Sequence, residues 1–464
     1  MGRWSPNRKA LTAVALLAVA LALRVAEVQR TAYRPINDAG SYLLLASQIA
    51  HTGNYSTSRA SGAGAGGTRG PSAYFAPGYP YLLAAVELLD GHHTPRDGAV
   101  HPARLAQAVL GTVTVALVGL VAREAFGEVI ALIALALAAV YPVLIELSGV
   151  LVAENLLTAL VLAAVWAMLR ASRAAHPYRW MTAAGVLTGL ATLTHVNAFV
   201  LVLPLGLAAW RLRRTVSAEL PHAFVGPTLI VVAALVTIGP WTIRNAIELH
   251  RFVPVTDETG ITLVGTYNRA SASNSRVPYK WRIYYGIPGE RRLIQQAGQL
   301  SEPVLSSKLE SQAFHYIGQH PLAPLSVIYH NTLRLLELEG SFAWRASAGA
   351  IDLPEQTAKL GVLSFWLLCL LALAGVFTRA ARAAPRWIWL VPVLLWLSVA
   401  VINAETPRFR EPIDPFLVLL AACAVAAAAR TVTERLAGAP VRRERGTPVA
   451  GRPRQPVEMV EGLT

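Results

Sequence analysis

The stretch ALTAVALLAVALALRVAEVQ, residues 10–29, is followed closely by Asn37-Asp38-Ala39-Gly40-Ser41-Tyr42. About 20 mostly apolar residues are what an α-helix needs to cross a bilayer. A carboxylate just past such a helix lies where the membrane meets water, and an amphipathic run follows it from Tyr42 to Ile49. This order predicts a membrane protein that holds an acid, Asp38, at one membrane face.

The composition of the whole chain agrees with a membrane protein. Of the 464 residues, 54% are hydrophobic and 15% are charged, whereas soluble domains carry about 25% charged residues. Apolar segments of near-spanning length recur, while a barrel would show short alternating segments. We therefore predict an all-α polytopic membrane protein. Cys369 and Cys423 both lie in apolar runs, so neither a disulfide framework nor a cysteine metal site is expected.

The basic residues locate the two sides of the membrane. The net charge of +14 would suggest nucleic acid in a soluble protein, but the basic residues cluster in short segments between apolar runs. The positive-inside rule explains this pattern, so we expect no nucleic-acid partner and place both termini in the cytoplasm. Ten spans are predicted, near residues 10–29, 103–122, 128–147, 152–170, 180–196, 197–212, 222–240, 358–378, 386–402 and 412–430.

The remaining segments fall outside the spans. A transmembrane domain over 1–436 includes a first outer loop, 30–100, in which we expect interfacial helices and a mobile stretch, Ser56–Ser72. A second extracytoplasmic segment, 241–357, is long enough for a small subdomain, and the tail 437–464 is predicted to be disordered. The first apolar run is predicted to be an uncleaved helix whose Arg24 extends to the outer interface, although a cleaved signal peptide is the alternative.

Several polar residues gather at the outer ends of the predicted spans. They are Asp38, Glu146, Glu154, His195, Asn197, Arg244, Asn245, Glu405, Arg408, Arg410 and Glu411. Ionisable groups at membrane depth are costly and usually face a cavity or a partner. Arginine binds phosphate through two parallel hydrogen bonds, and a carboxylate can act as a general base. The set predicts group transfer from a lipid-linked phosphate, with the phosphate as leaving group.

Structural roles remain open for the same residues. Asp38 could cap the helix that follows it, Glu154 could end a span at the interface, and Arg244 could anchor beside Trp241. His195 could be an ordinary interfacial histidine. Arg408 and Arg410 are harder to explain in this way, because they place positive charge on a short outer turn and so call for an anionic partner.

Five stretches resemble the GT-C superfamily of polyprenyl-phosphate-sugar-dependent glycosyltransferases, in the bacterial branch related to protein O-mannosyltransferases and the lipid A aminoarabinose transferase. The resemblance covers roughly residues 10–430. The stretches are Asn37-Asp38 with Tyr42, Phe75-Ala76-Pro77-Gly78-Tyr79-Pro80, Leu151-Val152-Ala153-Glu154-Asn155-Leu156, Pro240-Trp241-Thr242-Ile243-Arg244-Asn245, and Arg408-Phe409-Arg410-Glu411-Pro412-Ile413-Asp414-Pro415.

The resemblance implies roles for single residues. Asp38 would be the catalytic base and Glu154 the second acidic catalytic residue. The resemblance also implies that Arg408 and Arg410 hold the lipid phosphate and that Arg244 supports the outer loop or the phosphate. The full predicted substrate-binding set is Tyr42, Tyr79, His195, Arg244, Arg408 and Arg410. The chain departs from the family where Ala39 stands in place of a second acid and where His195-Val196-Asn197 stands in place of Arg-Pro. No metal ligand is assigned, although a divalent cation is a possible cofactor in this superfamily.

The expected function is an inverting sugar transfer from a polyprenyl-phosphate donor, on the outer face of the plasma membrane. The acceptor could be protein, lipid or glycan, and membrane lipids surround the enzyme. Two alternatives stay open: a transporter or flippase of lipid-linked sugars, and a non-catalytic protein of the same fold. The sequence shows no internal repeat of the kind that many transporters have.

Overall fold

The structure is a computed structural model that describes residues 6–57, 70–91, 100–214, 220–283, 287 and 299–438. Most of the stretch predicted to be mobile, Ser56–Ser72, and nearly all of the tail 437–464 lie outside the described residues. At the two ends of that stretch, β1 (Ser56–Thr57) and β2 (Gly70–Pro71) pair in antiparallel fashion. The rest of the described chain is helices and their connections.

The described residues form 19 α-helices. In order they are α1 (Pro6–Arg30), α2 (Asp38–Thr52), α3 (Gly78–Asp90), α4 (Val100–Phe126), α5 (Glu128–Val140), α6 (Pro142–Leu147), α7 (Glu154–Ala171), α8 (Pro177–Thr192), α9 (Val202–Arg214), α10 (Leu220–Leu249), α11 (Thr259–Thr266), α12 (Arg269–Ala272), α13 (Glu302–Gln319), α14 (Ala323–Leu335), α15 (Ser341–Ala350), α16 (Glu355–Val376), α17 (Arg379–Ala383), α18 (Trp387–Ala400) and α19 (Asp414–Gly438). Two 3₁₀ turns, Val196–Leu201 and Arg408–Arg410, precede α9 and α19.

Each predicted span corresponds to a helical segment, and the all-α membrane fold is confirmed. Six helices are long and apolar enough to cross a membrane: Asn7–Arg30, Val100–Phe126, Glu154–Ala171, Ala223–Leu249, Glu355–Val376 and Asp414–Arg435. The other predicted spans contain shorter helices. The span near 128–147 is broken before Pro142, where the proline lies in the first turn of α6.

The helices of the bundle approach closely where their residues are small. α8 packs between α7 and α10, and α4 contacts α1, α5 and α7. At Gly185 of α8, an added Cβ would lie 2.5 Å from the carbonyl oxygen of Ile230 in α10. Small residues let backbones approach in this way in membrane bundles. The core therefore forms from direct contact between neighbouring spans.

Ion pairs identify one end of the bundle. Lys9 at the start of α1 contacts Glu128 at the start of α5. Arg170 and Arg173 at the end of α7 both pair with Glu124 at the end of α4. These residues therefore lie together, as the charge pattern of the predicted cytoplasmic side requires. The other end of the bundle carries Asp38 at the start of α2, Glu154 at the start of α7 and Arg408 in the turn before α19.

Two local predictions are wrong. Arg24 does not extend to the interface: it is fully buried and donates to the carbonyl oxygens of Ala20, Ala138 and Ala139, because α5 and α6 cover that face of α1. The seventh span does not end at Pro240. α10 continues to Leu249 with Pro240 inside it, since neighbouring groups can replace the hydrogen bond that a proline removes.

Helices α11 to α15 form a layer over the end of the bundle that carries Asp38, within the segment predicted to be extracytoplasmic. α11 packs on α13, and the contact is so close that a Cβ at Gly260 would lie 2.2 Å from the carbonyl oxygen of Ser306. The first outer loop contributes α2 and α3, which pack on each other. Helices were predicted in this loop.

Candidate functional site

An acid, an arginine and a second acid from three distant parts of the chain meet at this end of the bundle. Arg408 donates through Nη1 to Oδ2 of Asp38 at 2.7 Å, and its Nε lies 3.9 Å from Oε1 of Glu154. The Asp38 side chain is 37% exposed, whereas those of Arg408 and Glu154 are 16% and 3% exposed. The cluster therefore has an open side at Asp38 and a closed side at Glu154.

Local structure explains how Asp38 reaches this position. The turn before α2 bends at Asn37, which has a φ of 51° and donates through its amide to the carbonyl oxygen of Ala350. A positive φ is costly for a residue other than glycine, and such strain concentrates at functional sites. α2 begins at Asp38 itself, and Asp38 pairs with Arg408. The interpretation of Asp38 as a helix cap alone therefore does not describe its contacts.

The charges of the cluster stabilise one another. Burial alone would lower the pKa of Arg408, but the carboxylates of Asp38 and Glu154 outweigh it and raise the pKa of the guanidinium. Arg408 is therefore a permanent cation. It also lies 4.6 Å from the centre of the Phe409 ring, which fixes the plane of the guanidinium.

A cavity of about 290 Å³ opens beside Asp38 and Arg408. Its walls mix aromatic, apolar and polar side chains. They include Tyr33, Asn37, Asp38, Tyr74, Glu258, Thr262, Trp281, Ile283, Ile351, Asn403, Glu405, Arg408 and Phe409. A concave site with a few convergent polar groups among apolar walls is typical of a small-molecule site. Among the described residues that line it, Arg408 is the only lysine or arginine.

Glu405, in the wall of the cavity, forms an ion pair. Lys280, in the outer layer, contacts Glu405 of the turn that precedes Arg408. Burial would raise the pKa of Glu405, but the charge and hydrogen bond of Lys280, together with Arg408 and Ser347, outweigh it and lower the pKa. Glu405 is therefore an anion at neutral pH. The pair connects the outer layer to the arginine-bearing turn.

Glu258 is a further carboxyl in the same cavity, and sequence reasoning missed it. It precedes α11 inside a long segment of mixed charge, where nothing in the sequence distinguishes it from its neighbours. Burial is the largest influence on its pKa and the charge of Asp38 the next, and together they raise it to about 8. Only the folded layer brings this carboxyl towards Asp38.

Three predicted substrate-binding residues lie behind the acids and outside the cavity wall. The Tyr42 ring is tilted against the Phe75 ring, with ring centres 4.8 Å apart, and meets the Tyr79 ring edge to face at 5.0 Å. The Tyr79 hydroxyl is buried and has no hydrogen-bond partner among the described residues. His195 contacts the Phe409 ring edge to face at 5.9 Å and shares a small separate cavity with Glu154. These residues therefore pack around the cluster and do not line the cavity beside Asp38.

Arg410 lies apart from Arg408, although the two were predicted to hold one phosphate. Arg410 is fully buried and pairs with Glu337 at 2.9 Å and with Asp414 at 3.1 Å. It also donates to the carbonyl oxygen of Leu335 at 3.0 Å. Arg408 and Arg410 are two positions apart on a 3₁₀ turn, so their side chains point in different directions. The geometry gives Arg410 a place in the core instead of the cavity.

Arg244 is also outside the cavity. It lies within α10 and donates to the carbonyl oxygens of Ser72 at 2.7 Å and Tyr55 at 2.6 Å. Its guanidinium lies 4.8 Å from the centre of the Trp241 ring. These contacts attach the β1–β2 pair to the end of α10, which agrees with the interpretation of Arg244 as an anchor beside Trp241.

The described residues contain no group of three or more His, Cys, Asp or Glu side chains placed to hold a metal ion. Asp38 and Glu154 share Arg408 between them, so the cation at the centre of this cluster is a guanidinium.

Comparison with known proteins gives one matching family and several solved structures of similar fold. Residues 75–241 match the family described as Dolichyl-phosphate-mannose-protein mannosyltransferase. A comparison with curated proteins gives no match. Among solved structures, the apo form of the oligosaccharyltransferase from Archaeoglobus fulgidus has a TM-score of 0.58 at 15% identity, covering 94% of this chain and 52% of that one.

Two further structures have lipid phosphates bound. The Archaeoglobus fulgidus enzyme AglB, in complex with an inhibitory peptide and a dolichol-phosphate, has a TM-score of 0.51 at 13% identity, with 94% and 52% coverage. ArnT from Cupriavidus metallidurans, bound to undecaprenyl phosphate, has 18% identity, 90% and 79% coverage and a TM-score of 0.42. The chain spans about half the length of the oligosaccharyltransferase. The resemblance predicted from the sequence is confirmed at the level of fold and family match.

Proposed function

We propose that this chain, a multi-pass membrane protein with a GT-C fold, is a glycosyltransferase that moves a sugar from a polyprenyl-phosphate donor to an acceptor on the outer face of the plasma membrane. The observation that carries the proposal is the contact of Arg408 with both Asp38 and Glu154 beside an open cavity. An arginine is the expected ligand for a phosphate, and a carboxylate beside it is the expected base.

The size of the cavity favours a small reacting group. About 290 Å³ is at the lower limit of the roughly 300–1,000 Å³ that ligand pockets usually have. One sugar with its phosphate is a better match than a long glycan. The polyprenyl chain would remain in the surrounding lipid, because each CH₂ group that it keeps out of water contributes about 0.8 kcal/mol.

In the proposed reaction, Asp38 accepts the proton of the acceptor hydroxyl or amine as that atom attacks the anomeric carbon. A new bond forms from the acceptor to this carbon, and the bond to the phosphate oxygen breaks on the opposite face. The sugar is therefore transferred with inversion. The bonding electrons leave with the polyprenyl phosphate, whose negative charge grows, and Arg408 stabilises that charge.

The Asp38–Arg408 contact links donor binding to this step. The guanidinium of Arg408 donates to Oδ2 of Asp38 at 2.7 Å. A donor phosphate would compete with Asp38 for the same N–H groups. Asp38 would then be released to accept a proton from the acceptor only when a donor is in place. Glu154, buried behind Arg408, would keep the guanidinium in position.

Purified protein in liposomes with a labelled polyprenyl-phosphate sugar and membrane extract tests the proposal. We expect free polyprenyl phosphate to be released when acceptor is present, and Arg408→Gln to abolish release. Arg345→Gln is the matched control, since Arg345 is half exposed and pairs with Glu355 outside the cavity. Movement of intact donor across the bilayer without release would instead support a transporter. If the protein neither releases polyprenyl phosphate nor moves the donor, the result would support a non-catalytic protein.

A further inference from the structure

Glu258 has a fixed position in the wall of the cavity that Asp38 and Arg408 line. Its backbone N–H donates to Oγ1 of Thr256 at 3.0 Å, and its carbonyl oxygen accepts from the N–H of Thr262 at 3.0 Å. Two residues later, Gly260 donates to Oγ of Ser306 in α13 at 3.2 Å. The start of α11 is therefore attached to α13, and the backbone of Glu258 cannot move away without disturbing this contact.

The groups that face Glu258 come from several elements. Asp38 of α2, Glu154 of α7 and Arg408 of the 3₁₀ turn all act on its charge. Tyr42 of α2, Tyr74 of the first outer loop and neighbouring Asp257 lie within electrostatic reach as well, and Glu405 lines the same cavity.

The acids in this set outnumber the single arginine. Burial and the charges of Asp38 and Glu154 raise the pKa of Glu258, whereas Arg408 and a hydrogen bond from Thr262 lower it, and the result is a pKa of about 8. Glu258 therefore keeps its proton at neutral pH, since its pKa lies above 7.

The proton on Glu258 affects how well the site can accept a phosphate. Asp38 and Glu154 share one arginine, so a phosphate would bring a further negative charge into a cavity that already holds more carboxylates than cations. An ionised Glu258 would repel that phosphate. A protonated carboxyl instead offers an O–H donor, as acids kept neutral in apolar sites do in other enzymes.

We propose that Glu258 binds the phosphate of the lipid-linked donor as a neutral carboxylic acid, through a hydrogen bond from its O–H group to a phosphate oxygen across the cavity from Arg408. Glu258 keeps its proton throughout, so no bond to it forms or breaks. Asp38 accepts a proton while Glu258 donates a hydrogen bond, so these two carboxyls of the cavity wall have different roles. The inference rests on the proposed function and deepens it.

The test measures binding of one probe, a polyprenyl methyl phosphodiester, to the full chain in detergent at pH 7 and pH 9. A phosphodiester carries a single charge over this range, so a change in affinity reports on the protein. With a pKa of about 8, the protonated fraction of Glu258 falls about tenfold between the two pH values, and the apparent Kd of the wild type should rise about tenfold with it.

Three variants make the result specific. Glu258→Gln keeps an N–H donor and cannot ionise, so it should bind the probe equally well at both pH values. Glu258→Ala should bind weakly at both. Glu310→Gln, in the same outer layer but lining a different cavity, should retain the wild-type pH dependence. Thermal unfolding of each variant shows whether it is folded.

Two outcomes overturn the inference while leaving sugar transfer intact. One is a wild type whose probe affinity does not change with pH, or changes equally in Glu258→Gln. The other is transfer that rises through pH 8 and is lost in Glu258→Gln, which would make Glu258 a base. A wild type that neither binds the probe nor releases polyprenyl phosphate overturns the proposed function as well.

Discussion

Arg410 and Arg408 are separated by one residue, and the structure predicts opposite consequences for replacing them. In Arg410→Gln, the carboxylates of Glu337 and Asp414 stay in the core after losing the cation that lies 2.9 Å and 3.1 Å from them. Removing one partner of a buried ion pair costs about 3–5 kcal/mol, mostly because the other charge is left unpaired. The hydrogen bond to the carbonyl oxygen of Leu335 is also lost.

The expected loss is large against the roughly 5–15 kcal/mol by which a domain is usually stable. Arg410→Gln should therefore give little folded protein, or protein that unfolds at a clearly lower temperature, measured by fluorescence-detected size exclusion after heating. Arg408→Gln should lose less stability than Arg410→Gln. Asp38 is 37% exposed and water can solvate it, so Glu154 is the one carboxylate of the pair of acids that is left buried without Arg408, at a longer distance of 3.9 Å. Arg408→Gln should still fail to release polyprenyl phosphate.

The reasoning about these two arginines would be refuted by the reverse pattern. If Arg410→Gln unfolds at the wild-type temperature and loses only donor binding, then Arg410 faces the substrate, as the sequence predicts. Arg410→Met is a useful second variant. It removes the same charge but fills the space beside Phe365, whose ring centre lies 3.5 Å from the guanidinium. It should be destabilised as well, because the two carboxylates remain unpaired.

Two further predictions concern the layer over the site. Gly260→Ala places a Cβ 2.2 Å from the carbonyl oxygen of Ser306. It should lower the free energy of unfolding by about 1–3 kcal/mol, seen as a lower unfolding temperature, and weaken sugar transfer. The control Gly318→Ala meets no atom within 4 Å and should change neither. Arg244→Gln loses two hydrogen bonds to carbonyl oxygens, each worth about 1.5–3 kcal/mol. It should unfold at a lower temperature but bind donor lipid like the wild type; weakened binding with normal unfolding would restore Arg244 to the substrate site.

The spans were predictable because their cause is local. A run of apolar residues of sufficient length specifies a membrane helix whatever the rest of the chain does. The predicted span near 222–240 is shorter than α10, which continues to Leu249, because in a bundle the neighbouring groups compensate for a proline such as Pro240. Arg24 was misplaced for a similar reason, since a fully buried arginine depends on carbonyl oxygens that only the folded bundle supplies.

The site was predictable in part. Asp38, Glu154 and Arg408 were singled out because charged residues beside spans are costly, and the structure places these three side chains together. Their catalytic roles remain proposals. The sequence could not separate Arg408 from Arg410, because tertiary partners decide which way each side chain points. Glu258 was invisible for the same reason, since the folding of α11 onto α13 is what directs it to the cavity.

The central claim is that Asp38 accepts the acceptor's proton in a sugar transfer beside Arg408. Asp38→Asn keeps the size of the side chain and removes the base, while Asp90→Asn makes the same change at the exposed end of α3. The decisive measurement is the rate of polyprenyl phosphate release by the two purified variants, each shown to be folded by thermal unfolding. Release should be abolished in Asp38→Asn and normal in Asp90→Asn. Wild-type release by a folded Asp38→Asn variant would contradict the account.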